Sequence, residues 1–419
     1  MSLNKLSEST FFRKNVLTPP LAFGLMAVAM VFLIGQSSVQ AGPREQAKRI
    51  HERLAGVAPS ETVLNEMQAQ IVAGNSIDAA MMAMENSHFY SISLKNFITP
   101  WTNEEASPYE PLNDYSATVI GMIRDDMDFR EILSGDILYV ADSALGLPSY
   151  SNSNNNMYQA LEDQSIDLQA NLVQTTQSAV TGLPAEATAG VTTSRAAAKS
   201  FFIDGTNRAM FRFTLINQLC TDLEPLSDIT RSPDRIRQDV SRSPGGDSRI
   251  YMNNCVGCHT GMDPLSQAYA YYEFDYNTAN DPNGDNGSLT YNTVGVIDPD
   301  TGSRVTRKHQ INANNFKFGF IYENDNWDNY WRAGQNANLG WSSSLSGSGQ
   351  GAKSMGEELA NSDAFASCQV EKVFKQVCLR SAVDATDRNQ LDSMVTSFKS
   401  NSYNLKQVFA ESAAYCMGD

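Results

Sequence analysis

Apolar positions recur at helical spacing over residues 44–55 and 60–73, as on helices with one buried face. Gly56 and Pro59 separate the two segments, and Ser60 is placed to cap the second. Residues 77–86 (IDAAMMAMEN) predict a third helix that stops before His88. Met81, Met82 and Met84 within it read as core filling rather than as a ligand set. Residues 115–133 predict another helix, with its charges on one side.

From Ser143 to Gly190 the chain turns polar and small, which predicts a domain boundary or a long surface excursion. SYSNSNNNMY (149–158) and TGLPAEATAG (181–190) read as loops. Helical periodicity returns over 194–220 and ends at Cys220. DPNGDNG (281–287) is a turn cluster, and 289–297 alternates as a strand does. The turn Asp298–Gly302 then leads to a return strand over 303–309, giving a small hairpin. SSSLSGSGQG (342–351) reads as a flexible loop or linker. Helices follow near 354–378, 386–399 and 404–414, and no period of about 20–50 residues repeats.

The amino terminus changes the picture by assigning a compartment. Arg13 and Lys14 precede the uncharged stretch from Leu21 to Gly35, and Val39-Gln-Ala41 places small residues at a cleavage site. The apolar stretch is shorter than the ~20 residues a spanning helix needs, which favours a cleaved signal peptide over an uncleaved anchor. Either way the chain is exported to the periplasm, the cell envelope or the extracellular space, and a membrane is met only through that segment. A hydrophobic content of 42% supports a packed core. A net charge of −16 argues against nucleic acid and anionic lipid headgroups as partners and permits a basic one.

Six cysteines occur, at 220, 255, 258, 368, 378 and 416. Two of them lie in Cys255-Val-Gly-Cys258-His259. Covalent haem c needs two thiols to add across its vinyl groups and an adjacent histidine to reach the iron, and this segment supplies all three. A redox dithiol is an alternative, but it has no need of His259 and no βαβ pattern surrounds it. Zinc is another, but Cys368 and Cys378 are too far apart in sequence to act as its second ligand pair. With 255 and 258 assigned to one haem, Cys220, Cys368, Cys378 and Cys416 are expected to form disulfides in any of three pairings.

Pro244–Asp247 predicts a turn, with Asp247 capping a helix that carries Arg249 to His259. Arg231, Arg235, Arg237, Arg242 and Arg249 precede the motif, where haem propionates find cations; a salt-bridged surface explains them equally. CVGCHTGMDPL followed by YYEFD (271–275) resembles the haem segment of planctomycete-type secreted c-type cytochromes, mono-haem proteins whose flanking domains have unknown function. RLAGVAPSETVLNEM (53–67) with SHFYSISLKNFI (87–98) is similar to their N-terminal helical domain. GEELANSDAFASCQVEKVFKQVCLR (356–380) with YNLKQVFAESAAYC (403–416) is similar to their C-terminal one. Residues 181–275, including TNRAMFRFTLINQLC (206–220), are similar in arrangement.

The expected fold is therefore mainly α: helical domains around a haem c segment, with a small β-hairpin insertion. The expected division is a signal peptide or anchor (1–41), an N-terminal helical domain (42–180), a haem domain with the hairpin (181–341), a linker or loop (342–353) and a C-terminal helical domain (354–419). His259 is the expected proximal iron ligand. His309 is the favoured distal candidate, with Met355, His51, His88 or an open face as alternatives. Met262 is too close in sequence to His259 to reach the other face. Asp281, Asn283 and Asp285 alternate as in a calcium loop, but the glycine is late and the twelfth-position acid is missing, so a plain turn is favoured. Trp327, Trp331, Trp341, Tyr322 and Tyr330 read as aromatic core before haem lining. Electron transfer in the envelope with a redox partner is the leading expectation. A haem enzyme with an open, peroxidase-like iron site and a haem-bearing subunit of a larger assembly are the alternatives.

Overall fold

Helix ends fall where side chains cap them. In the computed structural model, which describes residues 41–203, 207–238, 248–310 and 316–418, α1 (Pro43–Ala55), α2 (Glu61–Val72) and α3 (Ser76–Met84) form where the periodicity places them. The Ser60 hydroxyl accepts the Val63 amide at 3.3 Å and starts α2. Asn113 and Ser116 cap α4 (Asp114–Arg124) reciprocally. The helix expected over 115–133 ends at Arg124, because Asp125 and Asp126 oppose the negative helix terminus and Asp126 takes a left-handed backbone, φ 55°. The chain resumes as a 3-10 turn at Phe129–Leu133, capped by Asp128. Residues 1–40, with nearly all of the expected leader, lie outside the described residues, as do Asp247 and its expected cap.

Past α5 (Asn156–Asp163), the 194–220 periodicity contains α6 (Arg195–Phe202) and α7 (Asn207–Leu219). The motif segment forms α8 (Ser248–Asn254) and α9 (Val256–Ser266), broken at Cys255, where one helix was expected through His259. The single helix expected over 354–378 is α10 (Gly351–Ala360) and α11 (Asp363–Cys378). Ser362 divides them by accepting the Phe365 amide at 3.1 Å. Then α12 (Ala385–Ser400) and α13 (Leu405–Tyr415) close the chain.

The fold is mainly α, with three small two-stranded antiparallel sheets among the described residues. β1 (Leu138–Ala141) pairs with β2 (Leu172–Thr175), β3 (Tyr272–Asp275) with β4 (Ser288–Tyr291), and β5 (Asn326–Asp328) with β6 (Ser348–Gln350). The hairpin thus differs from expectation: the 289–297 strand is short and pairs upstream with YEFD, not with 303–309. The aromatic Tyr272 and Phe274 on β3 are buried partners for β4, whereas 303–309 folds back so that the Thr306 amide reaches the Ala270 carbonyl at 3.0 Å. β6 lies inside the segment read as a linker or loop.

Residues 43–419 form one compact unit. One continuous core runs from Ala47 to Cys416, so the expected N-terminal, haem and C-terminal segments share it. Phe409 of α13 meets the edges of Phe89 and Phe97 at 5.3 and 5.5 Å. Arg53 donates to the Cys416 carbonyl at 2.8 Å, tying α1 to the chain's end. The small-residue stretch near 190 is a loop in conformation but not at the surface. Ala187, Ala189 and Val191 are buried, and Gly190 (φ 54°) sits where a Cβ would come within 2.0 Å of the Ile132 carbonyl oxygen. Small residues here allow close packing instead of marking a boundary.

Cys220 pairs with Cys368, and Cys378 with Cys416. The four cysteines outside the motif are therefore all paired, joining α7 to α11 and α11 to the end of α13. Substituting Cys378 and Cys416 together by serine is expected to lower the unfolding free energy by about 2–4 kcal/mol. Urea titration at fixed pH reads this as a lower midpoint, and an unchanged midpoint would show that the helix packing alone fixes the C-terminal segment.

Candidate functional site

The motif helix α9 is fitted tightly on one face, and its two glycines, four residues apart, explain how. A Cβ on Gly261 would fall 1.9 Å from Trp331 Nε1, and one on Gly257 would fall 2.2 Å from the Ser227 hydroxyl. Trp331 is fully buried and covers this face of the helix. The Thr260 hydroxyl donates to the Asp228 carbonyl at 3.0 Å, and the Asp228 amide donates to the Gly257 carbonyl at 3.0 Å. The helix that carries the motif is thus held in place before any ligand is considered.

On the other face stand His259 and Asp263, four residues apart and so on one side of the helix. His259 Nδ1 lies 3.1 Å from Asp263 Oδ1. Nε2 makes no hydrogen bond with the described residues. Asp263 is fully buried and is the hub of the site. Arg208 of α7 grips it with two bonds of 2.7 and 2.8 Å, and the Arg237 amide donates to Oδ2 at 2.9 Å. The Tyr322 hydroxyl donates to the Asp263 carbonyl. Burial opposes charge on this carboxyl, but Arg208 and His259 outweigh it and hold it well below the usual carboxylate range.

Cys255 and Cys258 are both free, in a chain whose other cysteines are paired. Each is half-buried. Cys258 Sγ reaches the Leu223 carbonyl at 3.4 Å. Burial raises its thiol above the ordinary value, the reverse of what an attacking redox thiol needs. Cys368 and Cys378 are committed to disulfides, which removes them as a second zinc ligand pair. Beside Cys255 lies a small apolar cluster of Ile236, Tyr251 and Val256, separate from the main core, with Phe316 packed against it. The Tyr251 ring meets that of His259 edge-on at 5.3 Å. Two free thiols, an imidazole anchored through Nδ1 and an adjoining apolar wall fit the needs of a covalently attached haem.

His309 is buried, and both of its ring nitrogens are engaged. Nε2 faces the Tyr269 carbonyl at 3.1 Å, and Nδ1 faces the Arg237 guanidinium at 3.4 Å. Burial and then the Arg237 charge hold the imidazole well below its usual pKa, so it is neutral. Arg237 links His309 to the Asp263 hub, through its guanidinium on one side and its amide on the other. Met355 is buried in the main core, and His51 Nδ1 lies 2.8 Å from the Val57 carbonyl. His88 lines a separate pocket beside Ile92 and Glu162.

Of the arginines singled out, Arg237 is buried, Arg235 pairs with Asp328, and Arg231 with Asp228 at 3.3 Å. Arg249 is exposed on α8, and Arg242 lies outside the described residues. Trp327 and Trp331 belong to the main core, as expected of core aromatics. The Asp281–Asp285 turn holds no calcium-loop geometry. Asp281 accepts the Asp285 and Asn286 amides, while Arg195 fills the loop and donates to the Gly284, Asp285 and Gly287 carbonyls. Sequence reasoning missed Asp263 and Arg208; the available signal was that Asp263 stands one helical turn beyond His259.

Among the described residues no helix is long and apolar enough to cross a membrane. Comparison of the chain with models of known protein families, with curated proteins and with solved structures finds no match.

Proposed function

We propose that this chain is an exported mono-haem c-type cytochrome that transfers electrons in the cell envelope. Cys255 and Cys258 would form the thioether links, and His259 Nε2 would be the proximal ligand. The observation that carries the reading is the free Cys255–Cys258 pair beside a histidine whose Nδ1 is held by a buried carboxylate. Such an anchor fixes the ring and strengthens its donor nitrogen. The resemblance of residues 255–275 to planctomycete-type secreted cytochromes points the same way. Haem c supplies a one-electron couple when bound. The protein's own part is to hold the imidazole, exclude water with the Tyr251 cluster and present an acidic surface to a basic redox partner.

Denaturing electrophoresis with haem staining tests the attachment. The mature chain, made with haem-maturation machinery, is expected to stain, and Cys258→Ala to lose most of the stain. An unstained wild-type band sinks the reading.

A second reading, a haem enzyme with an open iron face, is favoured by one observation: His309 has no ring nitrogen free for iron. Ferric wild-type protein that is low-spin and inert to cyanide supports the carrier. A high-spin protein that binds cyanide rapidly supports the enzyme. In either case His309→Gln is expected to leave the spin state unchanged.

A further inference from the structure

We propose that the cleft between α5, α6 and the loop before α4 is a binding site for a neutral saccharide. The cleft has a volume of about 600 Å³, within the size range of small-molecule sites. Unlike most such sites its lining is more polar than apolar, and its apolar side chains are only Pro111, Ala196, Ile203 and Pro282.

The charges narrow the ligand further. Lys199 is paired with Asp285 at 2.5 Å, and Arg195 is spent on three loop carbonyls. Of the two, only Arg195 Nη1 keeps donors for an anion, since Nε and Nη2 hold the loop carbonyls. Glu104, Glu105 and Glu110 stand on one wall and repel anions. A metal ion is poorly served, because these acids come from one loop and Asp281 is turned inward onto backbone amides.

What remains is a set of hydrogen-bonding groups without partners in the described protein. The side chains of Glu105, Glu110, Asn156 and Asn283 line the cleft and make no hydrogen bond or ion pair with the described residues. Gln159 uses its amide nitrogen on Asp163, which leaves its oxygen, and Asn155 uses its own on the Leu112 carbonyl. Carboxylates accept, and amides both donate and accept. Vicinal hydroxyls, each able to donate and accept, match such a mixture from opposite walls. Tyr109, 91% exposed, is not part of the lining but directly precedes Glu110 of that wall, and its amphipathic ring is the one on this loop that suits the apolar face of a pyranose. The site is independent of the haem motif, and its test does not depend on haem loading.

Saturation-transfer NMR on the full chain provides the test, with cellobiose, maltose and N,N′-diacetylchitobiose as neutral probes. Sialyllactose serves as the acidic probe and spermidine as the cationic one. At least one neutral disaccharide is expected to give a saturable signal, and sialyllactose none. Asn156→Ala and Glu110→Ala, both at exposed positions, should each weaken binding about tenfold, the equivalent of one hydrogen bond. Tyr109→Ala should weaken it as well. Absence of any neutral-sugar signal overturns the proposal. So does spermidine binding in place of the sugars, or sugar binding that none of the three variants changes.

Discussion

Replacing Asp263 by alanine is expected to lower the unfolding free energy by about 3–5 kcal/mol. The carboxylate is fully buried, and four groups converge on the residue: the Arg208 guanidinium, His259 Nδ1, the Arg237 amide and the Tyr322 hydroxyl. Without it the Arg208 guanidinium, its side chain only 14% exposed, loses its bidentate partner. Removing one member of a buried pair costs more than the pair itself contributes, because the survivor's charge stays out of water. Arg208→Met combined with the same Asp263→Ala removes both charges and is expected to recover much of the loss, with Arg208→Met alone as the fourth corner. Urea unfolding of the four proteins closes the cycle. A loss below about 1 kcal/mol for Asp263→Ala, the range of exposed pairs, would show that solvent reaches the hub. In haem-loaded protein, Asp263→Asn is further expected to raise the reduction potential, since a ligand imidazole without its carboxylate donates less strongly. A purely structural role would leave the potential where it was.

Arg195→Met carries the second large effect, about 3–5 kcal/mol at pH 8. Its guanidinium satisfies the Gly284, Asp285 and Gly287 carbonyls and faces the buried Asp114 carboxylate. Asp114 in turn accepts the first amides of α6, Arg195 at 2.6 Å and Ala196 at 2.9 Å. Burial raises the Asp114 carboxyl above its usual value, while these amides and the Arg195 charge pull it back. Without the guanidinium it rises further. A carboxyl raised by folding favours the native state below its unfolded pKa, about 4, and loses that support as pH climbs through the folded value. The deficit of Arg195→Met is therefore expected to be smaller at pH 4 than at pH 8. Urea midpoints at the two pH values check the sign, and a deficit that grows toward pH 4 would refute the coupling to Asp114. Calcium is not expected to rescue the variant, because the Asp281 carboxylate remains bound to amides.

The sequence was most legible where the physics is local. Helical periodicity and a cap such as Ser60 need only near neighbours, so α1–α3, α12 and α13 stood close to their expected places. The Cys-x-x-Cys-His segment was legible for the same reason, since Cys255, Cys258 and His259 are close in sequence. That the four other cysteines pair was expected from their even number and from reading the amino terminus as an export signal. Tertiary structure alone decided which pair, because pairing depends on where α7, α11 and α13 pack. It also decided that YEFD, not 303–309, is the partner of β4, as strand pairing joins residues by burial and not by proximity along the chain. The Asp263 hub draws Arg208, Arg237 and Tyr322 from three distant segments. The same packing engages both ring nitrogens of His309, with the Tyr269 carbonyl and the Arg237 guanidinium, because a buried imidazole takes the partners its neighbours present.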